Sequence, residues 1–90
     1  MSGFSVLVKN STKVDGMLLL HVEGKPEPQK EPFPSGVMYC YAVESADTAE
    51  VEATFGDGST GPYKVHESTT LDTTAQDGKY VFTRVPTHEA

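Results

Sequence analysis

The segment from Phe55 to Lys64, FGDGSTGPYK, places Gly56, Gly58 and Gly61 in the spacing G-x-G-x-x-G, which in other proteins holds the phosphates of a dinucleotide. That chemistry needs a strand before the pattern and a helix after it, so that the helix N-terminus faces the phosphates. Here Pro62 and the alternating residues after it predict another strand, and no Lys-Ser or Lys-Thr pair follows to make a P-loop. The pattern therefore predicts a glycine-rich hairpin connection, and no nucleotide or other cofactor is expected.

The same loop also offers oxygen ligands of the kind that calcium prefers, because Asp57 and Ser59 stand two residues apart. An EF-hand loop, however, needs an oxygen-donating side chain at its fifth position, where this chain has Gly61, and a glutamate at its twelfth, where it has a serine. The EF-hand interpretation is therefore excluded. A weaker calcium site near Asp57, completed by Asp47 or Asp72 after folding, stays open.

The histidines and the potential nucleophiles show no sequence pattern that indicates catalysis. His21, His66 and His88 stand far apart in the chain, without the paired spacing that transition-metal sites show. No serine lies in a G-x-S-x-G elbow, and the carboxylates are dispersed, so an acid and a base cannot be assigned. We predict no catalytic residues and no metal site, and we expect that the protein is not an enzyme.

Cys40 is the only cysteine, and it lies between Tyr39 and Tyr41 in the middle of an apolar stretch. This setting predicts a small, inert core residue rather than an activated thiol. A single cysteine also excludes an intramolecular disulfide, which small secreted domains commonly need. The sequence begins without a basic segment followed by a long apolar one, and the apolar run Met17–Val22 is too short to span a bilayer. We therefore expect a cytoplasmic, soluble chain.

Length and charge narrow the possible partners. The 90 residues predict one β domain over residues 1–90, because no break in composition divides them. The 13 acidic and 7 basic residues give a net charge of −6, which is the wrong sign for nucleic acid or an anionic membrane. A protein or a carbohydrate is therefore the expected kind of partner, and a homo-oligomer is compatible with the sequence.

Alternation of apolar and polar residues predicts strands over most of the chain. Residues 48–55 could also begin a helix, since Asp47 and Glu50 resemble a helix cap, but strict alternation favours a strand. Three Asp-Gly pairs, at residues 15–16, 57–58 and 77–78, are hairpin signals. About six strands result, over residues 4–9, 17–23, 37–44, 48–55, 63–67 and 79–85.

The segment Gly24–Gly36, GKPEPQKEPFPSG, contains four prolines that cannot donate to a sheet ladder. It is therefore predicted to lie outside the sheets, as a crossover loop between them. Its prolines never fall three apart, so it does not match a P-x-x-P ligand. A loop of this length is often part of a binding surface, and this alternative stays open.

Two predicted strands, Met17–Val22 and Val37–Val43, are apolar on both faces, and both are therefore expected to be central in their sheets. The second apolar face of Val37–Val43 needs cover from a loop, a partner or a ligand. Aromatic side chains could supply an amphipathic contact surface. The candidate binding residues are Tyr39, Tyr41, Phe33, Tyr63 and Tyr80.

Together these features predict an all-β fold, an antiparallel β-sandwich of immunoglobulin-like or Greek-key character, with a small open β-barrel as the alternative. The leading functional hypothesis is a non-catalytic binding or interaction module, which includes an assembly subunit. It would act through an aromatic strand face, the long loop or a strand edge. The alternative is an inhibitor that uses the loop at 24–36 or the acidic surface, and a small enzyme is the third hypothesis.

Overall fold

The computed structural model describes residues 3–44 and 46–86, and in this part of the chain it forms eight strands and no helix. The predicted strand at residues 48–55 is confirmed over the helical alternative. The strands are β1 (Phe4–Asn10), β2 (Gly16–Val22), β3 (Gln29–Phe33), β4 (Met38–Val43), β5 (Ala49–Phe55), β6 (Gly58–Val65), β7 (Thr69–Gln76) and β8 (Lys79–Val85).

The strands form two sheets of four. Sheet A has the order β4-β1-β7-β8, and sheet B has the order β3-β2-β5-β6. All neighbouring strands are antiparallel except β1 and β7, which run parallel. After the β2–β3 pair in sheet B, the chain returns to sheet A and places β4 beside β1. The predicted β-sandwich is confirmed, with two strands more than expected.

The core is one thin layer between the sheets, and the molecule measures 39 × 38 × 18 Å. Alternation of apolar and polar residues along the strands produces this core, because every second residue of a strand points to the same face of the sheet. The described part of the chain contains no helix that could cross a membrane. The largest fully buried side chains are Phe33, Leu18, Leu20, Leu71, Val6, Val8, Val43, Val51, Asn10 and Thr73.

Two of the eight strands were not predicted. The sequence of β3, QKEPF, lies inside the segment that was expected to be a loop outside the sheets, and this expectation is wrong for Gln29–Phe33. Because β3 is an edge strand, it can hold Pro32 where an amide hydrogen is not needed by the ladder. The sequence of β7, TTLDTTAQ, has few apolar residues, but β-branched threonines fit a sheet and Thr69 and Thr73 are buried beside Leu71.

Of the three Asp-Gly pairs, one makes the expected hairpin turn. Asp77 and Gly78 join β7 to β8 and have φ angles of 52° and 77°, as a type I′ turn requires. Between β5 and β6 the chain reverses one residue earlier than the pair, at Gly56 and Asp57. The pair at 15–16 leads from sheet A into sheet B and makes no hairpin.

The position of β4 differs from the prediction. Of the two strands that are apolar on both faces, β2 is interior to its sheet as expected, but β4 is the edge strand of sheet A. Cys40 is consequently exposed and not a core residue, and Met38 is 48% exposed. Apolarity on both faces is a property of the strand alone, whereas its place in the sheet depends on which distant strand pairs with it.

Candidate functional site

The sandwich has four strand edges, and three of them carry features that discourage pairing with another chain. Charged side chains, prolines and bulges are the devices that natural proteins place there. β3 has Lys30, Glu31 and Pro32, and β8 has Lys79 and Arg84. These two edges are therefore protected.

The edge at β6 is protected in two ways. The strand contains Pro62 and Lys64. Its register with β5 shifts between Val51 and Ala53, which is a bulge or a similar irregularity. Such a shift twists an edge away from regular pairing.

β4 has none of these features. Its sequence, MYCYAV, has no charge and no proline. Its register with β1 is unbroken from Phe4 opposite Val43 to Lys9 opposite Met38. In the described part of the chain β4 pairs only with β1, so its other side presents backbone groups that are ready to accept a further strand.

Asn10, at the end of β1, fixes the start of β4. The side-chain amide nitrogen of Asn10 donates hydrogen bonds to the carbonyl oxygens of Val14 at 3.0 Å and Phe33 at 2.8 Å. Its backbone N–H donates to the carbonyl oxygen of Val37 at 3.0 Å, and Gly36 N–H donates to the Asn10 carbonyl at 2.8 Å. This role of Asn10 was not predicted, although a polar residue in phase with the buried residues of β1 is the sequence signal for it.

The outer face of β4 presents Met38, Cys40 and Ala42, all of them exposed. Half-buried Leu7 of β1 lies opposite Cys40 and extends this apolar surface inward along the sheet. We call Met38, Cys40 and Ala42 together the β4 outer row. It lies directly beside the free backbone edge.

The inner face of β4 carries Tyr39 and Tyr41, whose rings stack with centroids 6.5 Å apart and an interplanar angle of 15°. Both side chains are half-buried and pack against the core. Burial, and then the charge and hydrogen bonding of Glu31 in β3, raise the pKa of the Tyr39 phenol above its usual 10.0. Tyr39 and Tyr41 thus line the side of the sandwich where β3 and β4 are the edges, which we call the open side.

A groove of about 350 Å³ lies at the end of β4 on this side. Apolar surface and charged groups of both signs meet in it. Its lining residues are Val22, Glu23, Lys25, Tyr41, Ala42, Val43 and Glu44.

Tyr63 and Tyr80 lie at the opposite side, where β6 and β8 approach each other, and we call this the closed side. Tyr80 of β8 stacks on Phe55 of β5, with ring centroids 4.1 Å apart. Tyr63 of β6 meets the ring of Phe82 of β8 edge-on at 6.3 Å. Rings from the two sheets therefore pack on one another here, and the five predicted site residues are not brought together.

The glycine pattern belongs to the closed side. The predicted strand is present as β6, but it begins at Gly58, inside the pattern. Gly58 and Gly61 therefore lie within a strand, and the expectation that they belong to the hairpin connection is wrong. A Cβ on Gly58 would lie 3.2 Å from the Tyr80 ring, and one on Gly61 would lie 2.5 Å from the Val51 carbonyl oxygen. Two of the three glycines thus allow close packing, while Gly56 forms the turn.

Asp57, the acidic residue of this loop, accepts a hydrogen bond of 2.6 Å from the Tyr80 hydroxyl. This hydrogen bond, together with desolvation and the charge of Asp57, raises the pKa of Tyr80 above 10.0. No three histidine, cysteine or acidic side chains come together as a metal site among residues 3–44 and 46–86.

Phe33, the last residue of β3, is fully buried, with its ring centroid 6.5 Å from that of Phe55, so it offers no contact surface to a partner. His21 lies on the outer face of sheet B, where its Nε2 is 2.6 Å from Glu52 Oε1, and His66 is exposed after β6. His88 lies outside the described residues.

Comparisons of this chain with protein-family models, with curated proteins and with solved structures found no match.

Proposed function

We propose that this protein is a non-catalytic interaction module that binds a protein strand at the free edge of β4. One observation carries the proposal: in the described part of the chain, β4 is the edge without a charge, a proline or a bulge. Such an edge invites aggregation unless a partner uses it. Strand addition is a common mode of protein recognition and needs no catalytic group.

The chemistry of the edge fits this mode. An added strand would gain backbone hydrogen bonds along β4, and its side chains would lie beside the β4 outer row on one face and beside Tyr39 and Tyr41 on the other. Met38, Cys40 and Ala42 would lose exposed apolar surface, which favours association. No charged side chain of β4 would have to be desolvated.

A cytoplasmic location belongs to the same proposal, since an exposed, unpaired Cys40 suits a reducing compartment. Inhibition through the segment 24–36 has less support than it had from the sequence. Gln29–Phe33 of that segment pairs with β2, and Phe33 packs in the core, so less of it is free to enter a target.

The experiment compares one charge at two edges of the same sheet. Ala42→Lys places a lysine on the outer face of β4, and Thr83→Lys places one at an exposed position on the outer face of β8. Association is measured as native mass by analytical ultracentrifugation, and as capture of proteins from extracts of the source cell. We expect Ala42→Lys to weaken association by at least about tenfold, because a lysine on an edge strand discourages pairing with another strand, while Thr83→Lys leaves association unchanged.

The proposal is wrong if both variants keep the native mass and the captured proteins of the unmodified chain. It is also wrong if both lose association equally, because the effect would then come from net charge and not from β4. Urea denaturation of each variant checks that the fold is intact.

A second candidate, binding of a carbohydrate, is favoured by the groove at the end of β4. Its volume of about 350 Å³ is that of a small-ligand site, and it combines the ring of Tyr41 with Lys25 and Glu44 as polar partners. Binding to a glycan array that is lost in Lys25→Ala and kept in Lys64→Ala would support it. An array without signal would contradict it.

A further inference from the structure

We propose that the strand bound by β4 is β4 of a second copy of this chain, paired antiparallel about a two-fold axis at Cys40. This inference rests on the proposed function at the same edge and goes beyond it by naming the partner and the register. A two-fold interface uses the same surface on both copies, so that surface must be complementary to itself. The sequence around β4 meets this requirement.

The residues from Val37 to Val43 read VMYCYAV, which is a near-palindrome centred on Cys40. In an antiparallel pair centred there, Cys40 faces its own copy and Tyr39 faces Tyr41. The two outer pairs follow in the same way, Met38 with Ala42 and Val37 with Val43.

Each of these pairs is favourable across two strands. The aromatic pair and the pair of β-branched valines are types that stabilise sheets. Met38 meets the small side chain of Ala42, so a long side chain lies over a short one. No two like charges face each other, and Glu44 falls opposite Gly36.

Other two-fold registers fit less well. Residues that face each other must lie on the same side of the sheet, so the axis can move only to a neighbouring residue of the strand and not between residues. An axis at Tyr41 sets Met38 against the charged Glu44. An axis at Tyr39 sets Ala42 against Gly36 and removes the apolar pair at that end of the strand.

The faces of β4 are also consistent with this partner. Tyr39 and Tyr41 are half-buried on the inner side, and the pairing would place the tyrosines of the second copy against them. The β4 outer row would meet the same row of the other copy. Sheet A of each copy would then join into one continuous sheet, and the unprotected edge would disappear.

Charge predicts how the association responds to salt. Each copy carries a net charge of −6, so two copies repel at long range, although the paired strands are uncharged. Raising the salt concentration screens this repulsion. The dimer is therefore expected to strengthen with salt, whereas an interface built on ion pairs would weaken.

Disulfide trapping tests the register. Facing side chains in an antiparallel pair have Cβ atoms about 4.5–5.5 Å apart, close to what a disulfide needs. Chains with Met38→Cys are mixed with longer, tagged chains with Ala42→Cys, and both carry Cys40→Ser. Oxidised glutathione takes up the two electrons released when two thiols form a disulfide, with loss of two protons.

We expect the mixed disulfide to form about 100-fold faster than either chain's disulfide with itself, because pairing raises the effective concentration of the facing thiols from about 10 μM to about 1 mM. A control with Cys40→Ser and Thr83→Cys, on the other edge of sheet A, should link only at the slow rate of collisions. Sedimentation equilibrium of the unmodified chain should give twice its mass of 9.7 kDa.

Three results would overturn the inference. A dimer that links equally at all positions, or fastest through Thr83→Cys, excludes this register. A monomeric chain whose capture of another protein is abolished by Ala42→Lys excludes the second copy as partner but leaves the proposed function standing. A monomeric chain on which Ala42→Lys has no effect contradicts both.

Discussion

The closed side and the open side of this sandwich each carry two tyrosines, yet they use them differently. On the closed side, Tyr80 of sheet A stacks on Phe55 of sheet B, and Tyr63 of sheet B meets Phe82 of sheet A. On the open side, Tyr39 and Tyr41 stack on each other and belong to one strand. Aromatic residues on the closed side hold the two sheets together, and those on the open side leave a strand edge available.

The first prediction concerns a substitution that destabilises the closed side. Gly61 has a φ of 98°, and a Cβ there would lie 2.5 Å from the Val51 carbonyl oxygen and 3.2 Å from the Phe82 ring. We expect Gly61→Ala to lower the free energy of unfolding by about 2–4 kcal/mol, because backbone strain and a clash with backbone add together. Urea denaturation measures the loss.

Gly56 of the same glycine pattern supplies the control. A Cβ on Gly56 meets nothing within 4 Å, so Gly56→Ala should change the unfolding free energy by less than about 0.5 kcal/mol. Equal losses in the two variants would contradict the role given to Gly61.

The second prediction concerns the hydrogen bonds that Asn10 makes at the open side. Asn10 is fully buried, and its amide bridges the carbonyl oxygens of Val14 and Phe33. Asn10→Ala removes the donor to the Phe33 carbonyl and one of two donors to the Val14 carbonyl, and it removes the Oδ1 acceptor of the Thr12 N–H. It should cost about 2–3 kcal/mol of unfolding free energy, measured by urea denaturation.

Thr73, which lies opposite Asn10 in the parallel pairing of β1 and β7, provides the contrasting case. Its hydroxyl is buried without a hydrogen-bond partner among the described residues. Thr73→Val should therefore be neutral or stabilise the fold by about 1 kcal/mol. A clear loss of stability in Thr73→Val would mean that the hydroxyl has an unrecognised partner.

The third prediction compares one ring from each side. Phe82→Ala removes a ring that packs across the two sheets and should cost about 2 kcal/mol, whereas Tyr41→Ala should cost about 1 kcal/mol or less. Tyr41→Ala should instead weaken association, and Phe82→Ala should not. Thermal unfolding and sedimentation separate the two effects, and the reverse assignment would refute the comparison.

The smallest expected effect is a dependence on pH at the closed side. The hydrogen bond to Asp57 raises the pKa of Tyr80, so the folded protein holds this proton more tightly than the unfolded chain does. That contribution to stability is complete below pH 10.0 and is lost as the pH rises through the folded-state pKa. Tyr80→Phe should flatten the fall in stability above pH 10.0, as followed by urea denaturation at several pH values. An unchanged slope would contradict the assignment.

Much of the fold could be predicted from local pattern. Phe4, Val6 and Val8 alternate with polar or partly exposed residues in the predicted strand 4–9, and all three are buried on one face of β1. The alternation in β5 likewise identified its inner face. The threonine-rich β7 and the proline-containing β3 were not predicted, because neighbouring strands can stabilise a strand whose own composition gives little signal.

The candidate site was predictable only in part. The sequence pointed to Tyr39, Tyr41 and the apolar strand that holds them, but it placed that strand in the middle of a sheet and Cys40 in the core. An interior strand and an unprotected edge strand both lack charges, so composition does not separate them. Nor did the sequence show that Phe33 lies in the core while Tyr63 and Tyr80 pack at the other side.

The sequence by itself determined the all-β class, the alternation that builds one thin core and the near-palindrome around Cys40, because each depends on residues close together in the chain. Only the tertiary structure decided that β4 lies at an edge, that the other three edges are protected, and that Gly58 and Gly61 leave room for the rings of Tyr80 and Phe82. These outcomes depend on pairing between strands that are distant in sequence, which local periodicity does not encode.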